Sequence, residues 1–379
     1  MKPQRSKVDV APPNQADRAG SAIVVIVMTR TVRDGPARPY ACNQPEACDR
    51  LTSHSTQRTS AASPTATSLA ARDRRPPAPL GEDALLELLG WPNPEGWWHH
   101  WQARGGVNLV RDRWSVPVDD AWIASLALPL LTRVEQAHVE DGLKLIGVSA
   151  LPGCGKTTLC SWIKHASDHL GWSVEHLSID DFYWPADELE RSMAGNPWGV
   201  PRALPGSHDL IGMERSLQTW LQGGCLQAPR FDKSLRGGRG DRCGSSISKP
   251  RVVLLEGWFL GAVVGEEGND AMEHSLTPAE RQWRPQALRQ LREYASIWSM
   301  LDELWHLRIE NIDASARWKR QQLNTLFEST GVSFAENDLS GFNRMVEAAL
   351  PKSCLNWIPG ATIIVDLTSE RAVREVRFS

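Results

Sequence analysis

The sequence is short of several things, and each shortage closes a class of function. None of its seven cysteines (Cys42, Cys48, Cys154, Cys160, Cys225, Cys243, Cys354) falls in a C-x-x-C pair. Cys42 and Cys48 have no second pair or histidine cluster at zinc-finger spacing, so a structural metal site is not expected. Free thiols fit a reducing compartment. No apolar run reaches the ~18 residues that a membrane span needs, and Ala22–Met28 is far too short. There is no excess of positive charge: 42 Lys and Arg against 45 Asp and Glu leave −3, where a general nucleic-acid binder needs a clearly basic domain. No N-K-x-D guanine motif occurs, which speaks against a GTP switch. Asp338-Leu339-Ser340-Gly341 imitates D-x-x-G but lies far downstream on a helical pattern.

Lysine is absent between Ser21 and Leu80, where eight arginines meet only four acids in a Pro-, Ser-, Thr- and Ala-rich stretch. No apolar period lasts there, so residues 1–80 read as a disordered or processed extension. The Arg- and Ser-rich, acid-poor composition also resembles an organellar transit peptide. A cytoplasmic protein is the first expectation, and a plastid or other organelle is the alternative if the extension is a transit peptide. Residues 81–142 turn helical, with Leu85, Leu86, Leu88 and Leu89 ahead of Gly90 and a Trp/His cluster from Trp91 to Trp101. His99 and His100 are adjacent and would point about 100° apart on a helix, so aromatic packing is expected rather than a metal site. This segment reads as a helical N-terminal cap.

What is present centres on Leu143–Cys160. An apolar run leads into Ala150-Leu-Pro-Gly-Cys-Gly155, then Lys156, Thr157 and Thr158 open a helical pattern. Strand, Gly-rich turn and helix in that order form a phosphate-binding P-loop. The glycines let successive N–H groups point at phosphate oxygens, and the helix dipole favours the same anion. Gly153, Cys154, Gly155, Lys156, Thr157 and Thr158 would hold the nucleotide, with Lys156 on the β/γ-phosphates and Thr157 on Mg²⁺. The first position of the motif is Ala150 rather than Gly, a small residue read as tolerated variation.

From residue 143 to 379 strands alternate with helices: strands at Trp172–Ile179, Arg251–Leu255, Glu303–Ile309 and Ala361–Val365, and helices at Asp187–Met193, Leu210–Leu221, Pro278–Met300, Ala314–Glu328 and Asn337–Leu350. This predicts an α/β domain of the P-loop NTPase type, a parallel sheet with helices on both faces. Ligands of such sheets sit at the carboxyl ends of the strands. There the second strand, expected beside the P-loop strand, ends in Asp180-Asp181-Phe182-Tyr183. On extended backbone the two carboxylates would face opposite ways and so do different work. Asp180 is read as the base that accepts a hydroxyl proton, with Asp181 the other catalytic candidate. Capping of the next helix is the alternative. Glu256 ends an apolar strand in the Walker-B manner and could hold Mg²⁺ opposite Thr157. Residues 226–250 read as a basic, Gly-rich excursion. Its Arg230, Lys233, Arg239 and Arg242 could clamp a carboxylate or phosphate, or simply form a solvated loop. Arg317 and Arg320 share a helix face at i, i+3 and could close over the triphosphate, or be a solvated face.

The set GVSALPGCGKTTL, DDFY, PGSHD, PRFDKSLRGGRGDR and LLEGWFLG resembles D-glycerate 3-kinase of the plant and cyanobacterial type. That family stands with phosphoribulokinase, uridine kinase and pantothenate kinase among P-loop kinases. The likeness runs from about Leu143 to about Pro351, with a weaker match at Arg317-Trp318 and Gln321-Gln322. It implies ATP-dependent phosphorylation of glycerate to 3-phosphoglycerate with Mg²⁺, as in photorespiratory carbon recovery. It also implies that the basic run, together with Arg202, His208 and Asp209, binds substrate, and it supports Asp180 as base. The expected partner is a small molecule, with neither nucleic acid nor membrane; the sequence leaves the oligomeric state open, a monomer among the options. The rivals are a uridine, phosphoribulose or pantothenate kinase, or a non-catalytic nucleotide-binding regulator.

Overall fold

Residues 74–113, 119–265, 273–309, 312–330 and 336–378 are described by the computed structural model. Up to residue 73 the expected N-terminal extension lies outside them. In chain order the elements are α1 (Glu82–Leu88), α2 (Pro94–Gln102), α3 (Leu128–Val139), β1 (Lys144–Ala150), α4 (Lys156–His169), β2 (Val174–Ser178), α5 (Ala186–Met193), α6 (Leu210–Leu221), β3 (Leu226–Asp232), β4 (Asp241–Ser248) and β5 (Val252–Gly257). Then come α7 (Pro278–Arg292), α8 (Ala295–Trp298), β6 (Glu303–Ile309), α9 (Ile312–Thr330), α10 (Glu336–Ala348), α11 (Lys352–Asn356), β7 (Ile363–Leu367) and β8 (Val373–Phe378).

The main sheet runs β2-β5-β1-β6-β7-β8, parallel except for the antiparallel β8. Every residue of β5 is buried, which requires helices over both faces. β8 is absent from the sequence reading because its alternating Val373-Arg-Glu-Val-Arg-Phe378 carries little apolar signal, as suits an edge strand. Residues 74–80 already belong to the folded unit: Leu80 bridges to Glu375 of β8, and Arg75 pairs with the buried Glu82 at 2.5 Å.

One expectation about the order fails. β2 does not lie beside β1; β5 is inserted between them, with Val148 and Ser178 both in register with Glu256. The ends of β1 and β2 are therefore two strand spacings apart, roughly 9–10 Å. Glu256 stands in the middle of that gap.

The basic stretch is not an irregular excursion either. It folds as the antiparallel β3–β4 hairpin, a second sheet, with a bulge at Arg230/Phe231. The expected helix over residues 278–300 is two helices, broken where Glu293 and Tyr294 form a tight turn that leaves Tyr294 wholly buried.

The Trp cluster packs as expected. Trp97 and Trp101 both donate their indole N–H to Thr132 Oγ1 at 2.9 Å, and Thr132 passes its own proton to the Leu128 carbonyl. Both rings are fully buried, each worth roughly 4–6 kcal/mol of gross apolar transfer. His99 and His100 stay at the rim, against the Glu95 carbonyl and Glu135. Among the described residues no helix is long and apolar enough to cross a membrane.

Candidate active site

Between β1 and α4 the chain takes left-handed backbone at Gly153 (φ 83°) and Gly155 (φ 92°) and at no other residue of the turn. Ala150 is the buried last residue of β1, so its methyl group sits in the core and bears no strain. A Cβ on Gly153 would lie 2.8 Å from Trp318 Cβ, so this glycine is also required by the close approach of α9. Gly155 has open space around it and caps α4 without any side-chain bond. The first-turn N–H groups of this 14-residue helix are thus presented without a competing side chain. Cys154 is buried, and burial pushes its thiol up to about 12, so it is packing material rather than a nucleophile.

Thr157 donates its hydroxyl to Glu256 Oε1 at 2.7 Å, and Lys156 Nζ stands 3.7 Å from Glu256 Oε2. Glu256 is only 2% exposed, and its Oε2 accepts no hydrogen bond. A buried carboxylate oxygen without a donor, beside a hydroxyl and an ammonium, suits a divalent cation with nucleotide phosphates. Among the described residues there is no group of three or more metal-ligating side chains. A hydroxyl-plus-carboxylate magnesium site needs none, because water and phosphate oxygens complete the shell.

Asp180 and Asp181 are not on extended backbone. They lie on the 3₁₀ turn Ile179–Phe182 after β2, and the turn assigns them different tasks. Asp181 accepts the Ser178 N–H at 3.1 Å and closes a capping box with the Ser178 hydroxyl. The capping alternative thus describes Asp181, for the turn itself rather than for the next helix. Asp180 faces outward, accepting from Lys233 Nζ at 2.6 Å, with His208 Nε2 3.8 Å away. Burial works to raise the Asp180 carboxyl, but the Lys233 ammonium and the His208 imidazole outweigh it and hold it well below the usual carboxylate range.

The other expected substrate residues divide. Arg202 gives one nitrogen to the Gly238 and Arg239 carbonyls, bracing the hairpin turn (2.8 and 3.0 Å). Arg230 is exposed on β3, and its charge reaches Asp181. Arg239 is exposed and binds Glu190 at 3.1 Å. Arg242 donates to the Tyr183 carbonyl at 2.9 Å and to Asp209 at 3.0 Å. Asp209 in turn caps α6 through Gly212 N–H at 2.8 Å. The structure therefore places Arg239, Arg242 and Asp209 in scaffolding contacts, and of the four expected hairpin cations only Lys233 bonds Asp180.

Arg317 and Arg320 both lie on the exposed side of α9. The side of α9 that meets the P-loop carries Ser315, Trp318 and Lys319. Ser315 donates to the Pro152 carbonyl at 2.5 Å, and Trp318 donates to the Ser369 carbonyl at 2.9 Å. Arg371 closes the group, donating to the Gly153 carbonyl at 3.0 Å with its guanidinium 4.8 Å from the Trp318 ring centroid. Lys319 is the cation the sequence reading passed over. Burial and the nearby Lys233 and Lys156 ammoniums push it down to about 8. Its signal was present, since it sits between the two arginines chosen; only the helix phase was wrong.

Over 199 residues the chain is 31% identical to the uncharacterized kinase mug58 of Schizosaccharomyces pombe, a match covering 48% of this chain and 70% of that protein. The chain belongs to that P-loop kinase family. Chloroplastic D-glycerate 3-kinase of Arabidopsis thaliana is 28% identical to this kinase over 212 residues, 52% of the chain but only 45% of the plant protein. This kinase thus matches less than half the length of the plant enzyme. The solved structure of D-glycerate 3-kinase from Cryptococcus neoformans matches 67% of this kinase and 96% of its own chain with a TM-score of 0.53 at 21% identity, a likeness of fold. No family model matches the chain.

Proposed function

We propose that this kinase transfers the γ-phosphoryl group of ATP to the 3-hydroxyl of D-glycerate. The observation that carries the reading is the ionised Asp180 carboxylate, paired with Lys233, across Glu256 from the P-loop. The motif resemblance and the plant relative support glycerate as the acceptor.

The P-loop N–H groups and Lys156 hold the β- and γ-phosphates. Thr157 and Glu256 would hold magnesium, which would supply charge neutralisation to the transferring phosphoryl group. Asp180 orients the attacking hydroxyl and takes its proton. A carboxylate held well below its usual range is a weak base, but the loose transition state of phosphoryl transfer needs an acceptor only late, and an ionised one throughout. Lys233 faces the carboxylate of the acceptor, while Arg202 braces the hairpin turn that carries it. Lys319, from α9, faces the charge that develops on the transferred group.

The test is ATP consumption by the purified chain with glycerate, uridine, ribulose 5-phosphate or pantothenate, with the product's phosphate position read by NMR. Glycerate-dependent turnover giving the 3-phosphate is expected. Turnover with another acceptor would keep the kinase and replace the substrate. Nucleotide binding without acceptor-dependent turnover would favour a regulatory binding protein.

A further inference from the structure

His208 is 1% exposed, yet its Nε2 has no hydrogen-bond partner. The ring is pinned: Tyr183 stacks on it at 4.5 Å between centroids, and Phe259 meets it edge-on at 5.9 Å. Its other nitrogen, Nδ1, lies 2.6 Å from the hydroxyl of Tyr294, which comes from the break between α7 and α8, 86 residues further on. That hydroxyl already accepts the Gly206 N–H at 3.2 Å.

Proton accounting then fixes the imidazole. Tyr294 has one proton to give, and His208 Nδ1 is the acceptor within reach. Ser207 Oγ, 3.4 Å from Nδ1, gives its own proton to the Leu204 carbonyl at 2.6 Å. Were Nδ1 to carry the proton, the buried Tyr294 O–H would lose its acceptor. A bare Nε2 lone pair would also face the Asp180 carboxylate 3.8 Å away. With the proton on Nε2 both conflicts vanish. One buried N–H is then left aimed beside the base and too far from it to bond.

We infer that Tyr294 locks His208 as its Nε2–H tautomer, and that this N–H is a donor to an oxygen of the acceptor substrate seated beside Asp180. Tyr294 is then a positioning residue, acting through His208 from outside the site. The donor half rests on the phosphoryl-transfer reading above; the tautomer half does not.

The experiment labels histidine with ¹⁵N and reads the imidazole nitrogens by NMR, assigning His208 by its loss in His208→Gln. A protonated Nε2 and bare Nδ1 are expected in the wild type, and Tyr294→Phe should give mixed or reversed tautomers. Wild-type Nδ1–H overturns the lock. In kinetics, Tyr294→Phe should lower kcat tenfold or more while KM for ATP stays within twofold; an altered tautomer with unchanged kcat overturns the donor role. If Tyr294→Phe fails to fold, His208→Gln and His208→Asn decide the donor role. Gln puts an amide N–H near Nε2 and Asn near Nδ1, so Gln should retain at least fivefold more activity, and equal losses overturn it. If glycerate supports no turnover, the kinetics are run with the acceptor that does. Should none support turnover, the donor role fails with the transfer reading, while the wild-type spectrum still decides the tautomer.

Discussion

The P-loop and the β3–β4 hairpin, both expected from sequence to hold anions, are built on opposite plans. The P-loop uses backbone N–H groups fixed by two left-handed glycines and a helix start, and no carboxylate competes for them. The hairpin uses long cationic side chains, and neighbouring acids and carbonyls have claimed most of them: Glu190 takes Arg236 and Arg239, and Asp209 and the Tyr183 carbonyl take Arg242. Backbone donors cannot turn away to a better partner, whereas a guanidinium on three methylenes can. A motif built on backbone geometry therefore locates its ligand in a way that a run of charges does not.

The sharpest break of this comparison removes a charge at the backbone-built side. Lys156→Ala should lower kcat/KM about 10³-fold or more, because the transferred group loses its fixed cation. Its melting temperature should stay within a degree or two; retained turnover would show that the cradle holds something other than the reacting phosphates. Asp180→Asn should cost about 10²–10⁴-fold in kcat with nucleotide binding kept. An equal loss from Asp181→Asn without loss of fold would overturn the division of labour seen on the 3₁₀ turn. Glu256→Gln should raise the Mg²⁺ concentration needed for half-maximal rate at least tenfold, since it removes the negative charge these two side chains offer the ion while keeping a polar partner for Thr157.

Lys156 and Glu256 were legible beforehand because strands of strong apolar character, β1 and β5, lead to them, whereas Asp180 follows the mixed β2 and was legible from the D-D-F-Y run. The order itself was not legible. Nothing local tells that β5 enters between β1 and β2, and the insertion is what puts Glu256 between the P-loop and Asp180. The hairpin escaped notice because its glycines and charges mask a short ladder held mainly by main-chain bonds. Arg317 and Arg320 were singled out by spacing and, at Arg317-Trp318, by a weak resemblance; spacing fixes that two residues share a face but not which face is inward. Tyr294 could not have been found at all, since its partner lies 86 residues away.

Lys319 tests whether a side chain can ever be as well fixed as the P-loop backbone. With its ammonium pushed down to about 8, it is charged below that pH and neutral above it. The nucleotide polyanion favours the charged form, so the effect belongs to free enzyme: kcat/KM for ATP should fall as pH rises through about 8. Lys319→Arg should move that limb out of range, because guanidinium does not lose its proton there. Lys319→Ala should lower kcat about 10–10²-fold at neutral pH. An identical alkaline limb in Lys319→Arg would assign it to another group.

The smallest effects should come from the hairpin's own arginines, and that is where the comparison is most exposed. Arg242→Ala frees the buried-side oxygen of Asp209 and the Tyr183 carbonyl together, so a loss of about 1–3 kcal/mol in stability is expected, with KM for the acceptor changed less than threefold. Arg239 is 57% exposed at the side chain, and its ion pair with Glu190 is of the surface kind that contributes little in water. Arg239→Ala should leave stability within about 0.5 kcal/mol and acceptor KM within threefold. A tenfold rise in acceptor KM for Arg239→Ala, with kcat and ATP KM unchanged, would mean that the guanidinium leaves Glu190 for the substrate. The hairpin would then be a moving clamp rather than a braced scaffold carrying one working lysine.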